Sequence, residues 1–171
     1  SLIVFEEVLS ASKSIVLIDH HRRSEYFIDN AVLTYHEPYA SSACEMVTEI
    51  LQYIQDNPKI GLKEAEALYA GIFLDTKGFT FKTGVRTFEA AAYLRRMGVD
   101  PVNIRRLFKT DIRDSVRLSK VISSAKIYRD NIAVAVCEDT GKDLQVLVAK
   151  AADELLNISG IEASFVIARL G

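Results

Sequence analysis

The chain has 171 residues, of which 49% are apolar and 26% charged, and its 21 Lys+Arg against 23 Asp+Glu leave a formal net charge of −2. That composition fits one globular domain, or one domain and part of a second, and excludes a largely disordered chain. The charge balance excludes a protein that coats duplex nucleic acid, so any phosphate binding must be local.

The apolar runs, Ser14 to Ile18 and Ile132 to Cys137 the longest among them, are too short to span a bilayer, and no membrane contact is expected from this segment. The lack of an initiator methionine and the stop at Gly171 straight after an apolar run read as the edges of a piece of a longer chain. Cys44 and Cys137 have no Cys or His at ligand spacing and read as small buried hydrophobes in a reducing compartment.

In chain order, Leu2 to Leu9 has helical spacing, with Leu2, Phe5, Val8 and Leu9 on one side. Ser14 to Ile18 is a continuous β-rich run that suits a strand buried on both faces of a parallel sheet. It ends at Asp19-His20-His21-Arg22-Arg23, and a second extended piece follows at Ala31 to Tyr35. Ser42 and Glu45 form a capping box. Behind it Ala43, Met46, Val47, Ile50, Leu51 and Ile54 line one helical face, which Asn57-Pro58 ends. A helix from about Lys63 to Phe73 turns Ala65, Leu68, Tyr69, Ile72 and Phe73 inward and stops at Asp75-Thr76-Lys77-Gly78.

The next helix, Arg86 to Met97, stops at Gly98. Asp100-Pro101 caps a short helix reaching Phe108. Asp111 starts another, with Ile112, Val116, Ser119 and Ile122 along one side and Arg113 and Arg117 on the wetter face; it reads as a connector. After the turn Arg129-Asp130-Asn131, a strand at Ile132 to Cys137, a helix at Leu144 to Leu156 and a strand at Ala163 to Leu170 form a β-α-β tail. The fold class expected is therefore α/β, a parallel sheet flanked by helices. Residues 1–110 would form one domain, 111–128 a connecting helix, and 129–171 the start of a smaller α/β domain.

Two places stand out chemically. Asp19-His20-His21 lies at the C-terminal end of a parallel-type strand, the edge where open α/β sheets bind ligands. A neutral imidazole ligates manganese, iron or zinc, and an adjacent carboxylate orients it; the plainer reading is a polar loop. Alternation along a strand sends His20 to the side opposite Asp19 and His21. Asp75 sits at a helix C-terminus, where the dipole disfavours a carboxylate by about 0.3–1 kcal/mol. It calls for a cation, either Lys77 or a metal ion; the alternative is an exposed turn. These residues amount to a partial metal site, since two-metal centres gather several carboxylates and imidazoles. Ser41-Ser42 offers hydroxyls and amides at a helix start where an anion could sit, though capping explains Ser42. Arg22 and Arg23 would meet phosphate or form a solvated charge pair. P-loop, dinucleotide-fold and hydrolase-elbow motifs are absent.

Ile15 to His21 resembles the signature of the DHH phosphoesterases. Glu37-Pro38-Tyr39-Ala40-Ser41-Ser42-Ala43 is similar to the segment that follows the signature. Leu68 to Phe79, around Asp75, is similar to the family's fourth motif, and Arg86 to Ala91 with the stretch to Pro101 to the helix after it. Residues 120–171 resemble the first half of the associated DHHA1 domain. The likeness is strongest to the GdpP-type subgroup of bacterial cyclic-di-AMP phosphodiesterases. It implies a hydrolase using two Mn²⁺ ions, with His20 and Asp75 as metal ligands and Asp19 and His21 as catalytic supporting residues. The substrate implied is cyclic-di-AMP, cleaved to pApA. A short-oligonucleotide or pAp phosphatase and a non-catalytic regulatory or dimerisation module are the alternatives. The resemblance also implies a cytoplasmic domain of a membrane-anchored parent, and uncovered sheet surface adds the expectation of a homodimer. The family's H-x-x-x-D-x-D and G-G-G-H motifs do not occur in these residues. Little hydrolysis is therefore expected from this chain alone.

Overall fold

The apolar side chains gather into two separate cores, one in a unit spanning Ser1–Leu107 and one in a unit spanning Phe108–Gly171. The computed structural model describes residues 6–23, 28–54, 60–141 and 143–169. Leu2 and Phe5, Asn57-Pro58 and Leu170 therefore lie outside the described residues.

In the first unit, α1 (Glu6–Ala11) precedes β1 (Val16–Asp19), which pairs in parallel with β2 (Leu33–His36), Val16 opposite Leu33 and Asp19 opposite His36. Four helices follow: α2 (Ala43–Tyr53), α3 (Leu62–Asp75), α4 (Val85–Arg96) and α5 (Pro101–Leu107). The core lies among α3, α4 and α5, where Ala65, Tyr69, Ile72, Leu94, Val99 and Ile104 are buried. The result is a mixed α/β arrangement with a parallel sheet flanked by helices, as the sequence predicts. Its local signals hold too. Ser42 Oγ accepts the Glu45 N–H at 3.0 Å, Asp100 Oδ1 accepts the Val102 N–H ahead of α5, and Gly98 ends α4 with φ 103°, a conformation that favours glycine.

Burial departs from the sequence reading at β1. A strand covered on both faces was expected, yet Val16 is 59% exposed and its neighbour Leu33 52%. The reason is that α2 packs against β1 and, among the described residues, the sheet has two strands. α2 departs as well: Glu45 and Thr48 are buried beside Met46, while Ile54 is exposed. α2 packs against β1, α3 and α4, so its surroundings cover more than one apolar stripe.

In the second unit, α6 (Ile112–Ser123) and α7 (Leu144–Leu156) cover a three-stranded sheet of β3 (Lys126–Tyr128), β4 (Ile132–Cys137) and β5 (Ala163–Ala168). β3 pairs antiparallel with β4, through a turn with Arg129 and Asp130 at positive φ, and β4 pairs in parallel with β5 across α7. The connecting helix read over 111–128 stops at Ser123, and 126–128 joins the sheet as β3, a strand too short to show periodicity. The side of α6 expected to be apolar holds at Ile122 and fails at Ile112 and Val116. Ile112 is 73% and Val116 47% exposed, whereas Val121 is buried with Leu118 and Ile122 against it. Arg117, placed on the wet face by sequence, is drawn in by a bidentate contact to Asp139 at 2.8 and 3.0 Å.

Candidate functional site

β1 delivers its last residue, Asp19, to the C-terminal edge of the parallel pair. Asp19 Oδ1 accepts the backbone N–H of His21 at 3.0 Å and lies 2.7 Å from His21 Nδ1. A carboxylate only accepts, so Nδ1 carries the proton and the neutral ring keeps a lone pair on Nε2. Burial pushes the Asp19 carboxyl up. The His21 N–H and ring outweigh it, joined by the charges of His21 and His36, and hold the group below its ordinary value. The expected alternation, with His20 opposite to His21, does not hold: β1 ends at Asp19, the two rings come together, and His20 turns toward α3. Its Nε2 faces Asp75 Oδ2 at 3.5 Å, with the side chains 19% and 39% exposed. The two histidine rings lie 4.5 Å apart, tilted by 53°.

Asp75 is the last residue of α3, against the negative end of that helix dipole. The group facing it is the His20 imidazole. α3 reaches the β1 edge because Gly71, one turn earlier, lets it close on α2: a Cβ there would lie 2.3 Å from Cys44 Sγ. The same closeness raises the Cys44 thiol, by burial first and then by the Asp75 charge.

The His20–Asp75 contact depends on where the ring carries its proton. With the proton on Nε2 the ring points a donor at the carboxylate; with the proton on Nδ1 the Nε2 lone pair and the carboxylate face each other. In that second form imidazole and carboxylate are a donor set suited to manganese, iron or zinc. Among the described residues, no group of three or more His, Cys, Asp or Glu side chains is placed to hold a metal ion. The residues present thus fit part of a metal site.

Other sequence candidates fall away from this edge. Ser41 Oγ donates to Glu45 Oε2 and Ser42 Oγ accepts the Glu45 N–H, all three residues being buried. The anion position expected at this helix start is therefore taken by the chain's own carboxylate, and the second half of the capping box runs to Ser41. Arg23 pairs with Asp29 at 3.6 Å on the surface.

Sequence reasoning passed over His36. Its Nε2 lies 2.6 Å from the His21 carbonyl oxygen and, facing an acceptor, is the donor. With Asp19 opposite it in register, His36 pins the backbone turn that aims both signature histidines. It also passed over Arg86, which grips Glu49 with two hydrogen bonds of 2.6 Å and reaches Tyr35 Oη at 3.2 Å, joining α4, α2 and β2. No local pattern announces either contact, because the partners lie far apart in the chain.

The description "DHH family, N-terminal domain" matches residues 3–72. Over 98% of its length the chain is 43% identical to the cyclic-di-AMP phosphodiesterase PdeA of Listeria monocytogenes, covering 25% of that protein. It is 47% identical to the cyclic-di-AMP phosphodiesterase GdpP of Geobacillus thermodenitrificans and 46% to that of Bacillus subtilis, covering 26% of each. The chain thus spans about a quarter of the length of these curated relatives. A crystal structure of an exopolyphosphatase-related protein from Bacteroides fragilis superposes with a TM-score of 0.74 at 23% identity, over 92% of this chain and 48% of that one, and shares the fold.

Residues 3–72 thus carry the likeness to the DHH family, and over its whole length the chain is similar to cyclic-di-AMP phosphodiesterases of the GdpP type.

Proposed function

We propose that this chain carries part of the metal site of a Mn²⁺-dependent phosphodiesterase that hydrolyses cyclic-di-AMP to pApA. The observation that carries the reading is the His20–Asp75 pair at the C-terminal edge of the parallel strands. The relatives' names supply the substrate. His20 and Asp75 would hold an ion, and the catalytic support falls to Asp19 and His21. Asp19 keeps the proton of His21 on Nδ1, so that Nε2 is free to take a proton or to receive a hydrogen bond. Bound there, Mn²⁺ would supply Lewis-acid polarisation of a phosphoryl oxygen and a more acidic water. With two donors facing each other and no third among the described residues, binding by this chain alone is weak and its hydrolysis slow. A membrane-anchored parent with this segment on the cytoplasmic side, and pairing into a homodimer, belong to the same reading. Among the described residues no helix is long and apolar enough to cross a membrane.

The test is a Mn²⁺ titration of the chain followed by electron paramagnetic resonance, beside the variants His20→Ala and Asp75→Asn. Weak binding lost in both variants is expected; binding unchanged in both refutes the ligand assignment. Turnover of cyclic-di-AMP, pApA and pAp by a longer protein containing this chain then decides the substrate. A preference for pAp would assign the site to the phosphatase alternative, and no turnover of any of them to a regulatory module. Fast hydrolysis by the chain alone would overturn the incomplete-site reading.

A further inference from the structure

The loop that follows Asp75 carries groups with no role in the site described above. Residues 76–84 join α3 to α4, and Thr76 is fully buried at their start. Thr76 Oγ1 donates to the Ile72 carbonyl at 2.7 Å and accepts the Phe79 N–H at 3.0 Å. The Phe81 N–H donates to the Thr76 carbonyl at 2.9 Å, so Phe81 is fastened to the residue next to Asp75. Lys77, Phe79 and Lys82 have φ of 48°, 67° and 49°, in the left-handed region that side chains enter at a cost and keep where the surroundings enforce it.

The bends sort the two aromatic rings. Phe79 turns inward, edge-on to Tyr69 and Phe73 with centroids 5.5 and 6.1 Å away. Phe81 is turned outward and is 49% exposed, with Lys77 Nζ 5.7 Å and Lys82 Nζ 5.5 Å from its ring centroid. The backbone that seats one ring in the core therefore presents the other to solvent between two ammonium groups.

We propose that Phe81 is a stacking platform for a nucleobase of the substrate, and that Lys77 and Lys82 meet the phosphate attached to that base. The proposal rests on the reading of this chain as part of a cyclic-dinucleotide phosphodiesterase and names the residues that receive the base. A flat ring stacks on any base, and cations beside it take the phosphate charge. Lysine stems are flexible enough to leave the ring face as the base arrives. The fastening to Thr76 puts the platform beside Asp75, so a base seated there brings its own phosphodiester toward the His20–Asp75 pair.

The chain has no tryptophan, so Phe81→Trp adds a single fluorophore at the platform, and Tyr53→Trp, at an 84% exposed position, serves as its control. Binding of pApA and cyclic-di-AMP is measured in parallel by equilibrium dialysis. Both dinucleotides should quench the indole placed at 81 and leave the one at 53 unchanged, while ribose 5-phosphate and inorganic phosphate quench neither. Phe81→Ala should weaken dinucleotide binding by about 5- to 100-fold, and Lys77→Ala with Lys82→Ala should flatten its salt dependence. Dinucleotide bound in dialysis without quenching at 81 overturns the platform and leaves the phosphodiesterase reading standing. No dinucleotide bound at all overturns both. A blue shift of the indole at 81 on phosphatidylserine vesicles, with no response to dinucleotide, would overturn the proposal and assign the loop to a lipid surface.

Discussion

β1 and β4 each lead out of a parallel pairing into an aspartate, and both aspartates make the same turn. Asp19 accepts the N–H of His21 at 3.0 Å, and Asp139 accepts the N–H of Gly141 at 2.8 Å. The cation-capable partner is where they part. At β1 the residue two places on is a histidine, whose ring closes on the same carboxylate oxygen. At β4 it is glycine, and the partner arrives from α6 as Arg117. Arginine never gives up its proton in a protein, so Asp139 is locked as a structural anchor, its pKa drawn from an ordinary 3.8 to about 2 by Arg117 first and the Gly141 N–H second. An imidazole can give up a proton where a guanidinium cannot, so the otherwise similar turn at β1 orients a ring suited to the catalytic support proposed for it. On that proposal the partner, more than the carboxylate, separates the two sheet edges.

The comparison is broken most directly by neutralising each aspartate in turn. Asp19→Asn releases the His21 ring, which lies 4.5 Å from the ring of the proposed ligand His20, and should lower the chain's Mn²⁺ affinity by up to about 10-fold. Asp139→Asn should leave that affinity unchanged. Equal losses in the same titration would show that the two edges do not differ in kind.

A smaller effect is expected where α3 meets α2. Gly71→Ala gains helix propensity but forces its methyl onto Cys44, for a net loss of about 1–2 kcal/mol in urea unfolding. Adding Cys44→Ala should recover part of it, and a double-mutant cycle with no coupling would refute the contact. Below that, His36→Ala removes one hydrogen bond to the His21 carbonyl and should cost about 0.5–1.5 kcal/mol. His36→Gln retains an N–H donor and should shift the His21 ring resonances in an NMR spectrum less than His36→Ala does.

The smallest effect belongs to the Arg117–Asp139 pair, which is about a quarter exposed and screened by solvent. Because its folded-state pKa is depressed, the Asp139 carboxylate stabilises the fold fully above about pH 4, and the contribution is lost as the pH falls through about 2. Asp139→Asn should therefore be less stable than the parent at neutral pH and converge with it near pH 2. A constant gap across that range would remove the pair from the acid response.

Much of this was legible in the residues. Ser42 with Glu45, Asp100 with Pro101, Gly98 and the span Leu144–Leu156 are local signals, and the helices begin and end close to where those signals stand. β3 and, Ile122 apart, the buried side of α6 were not legible. Lys126–Tyr128 is too short for alternation to register, and the orientation of α6 depends on Asp139 reaching Arg117 from another element. Asp19-His20-His21 and Asp75 were found as separate oddities, the first by its place after an apolar strand and the second by its place against a helix dipole.

By itself, then, the sequence determined the α/β order of elements, the caps, the family likeness and the two halves of the site, because each follows from spacing and chemistry within a few residues. Only the tertiary structure decided that His20 meets Asp75, that His36 holds the turn at His21, and that Phe81 stands outside while Phe79 is packed in. Those outcomes need two elements at a given distance. The close approach of α2 and α3 at Gly71, the parallel register that sets His36 opposite Asp19, and the left-handed bends after Thr76 supply it.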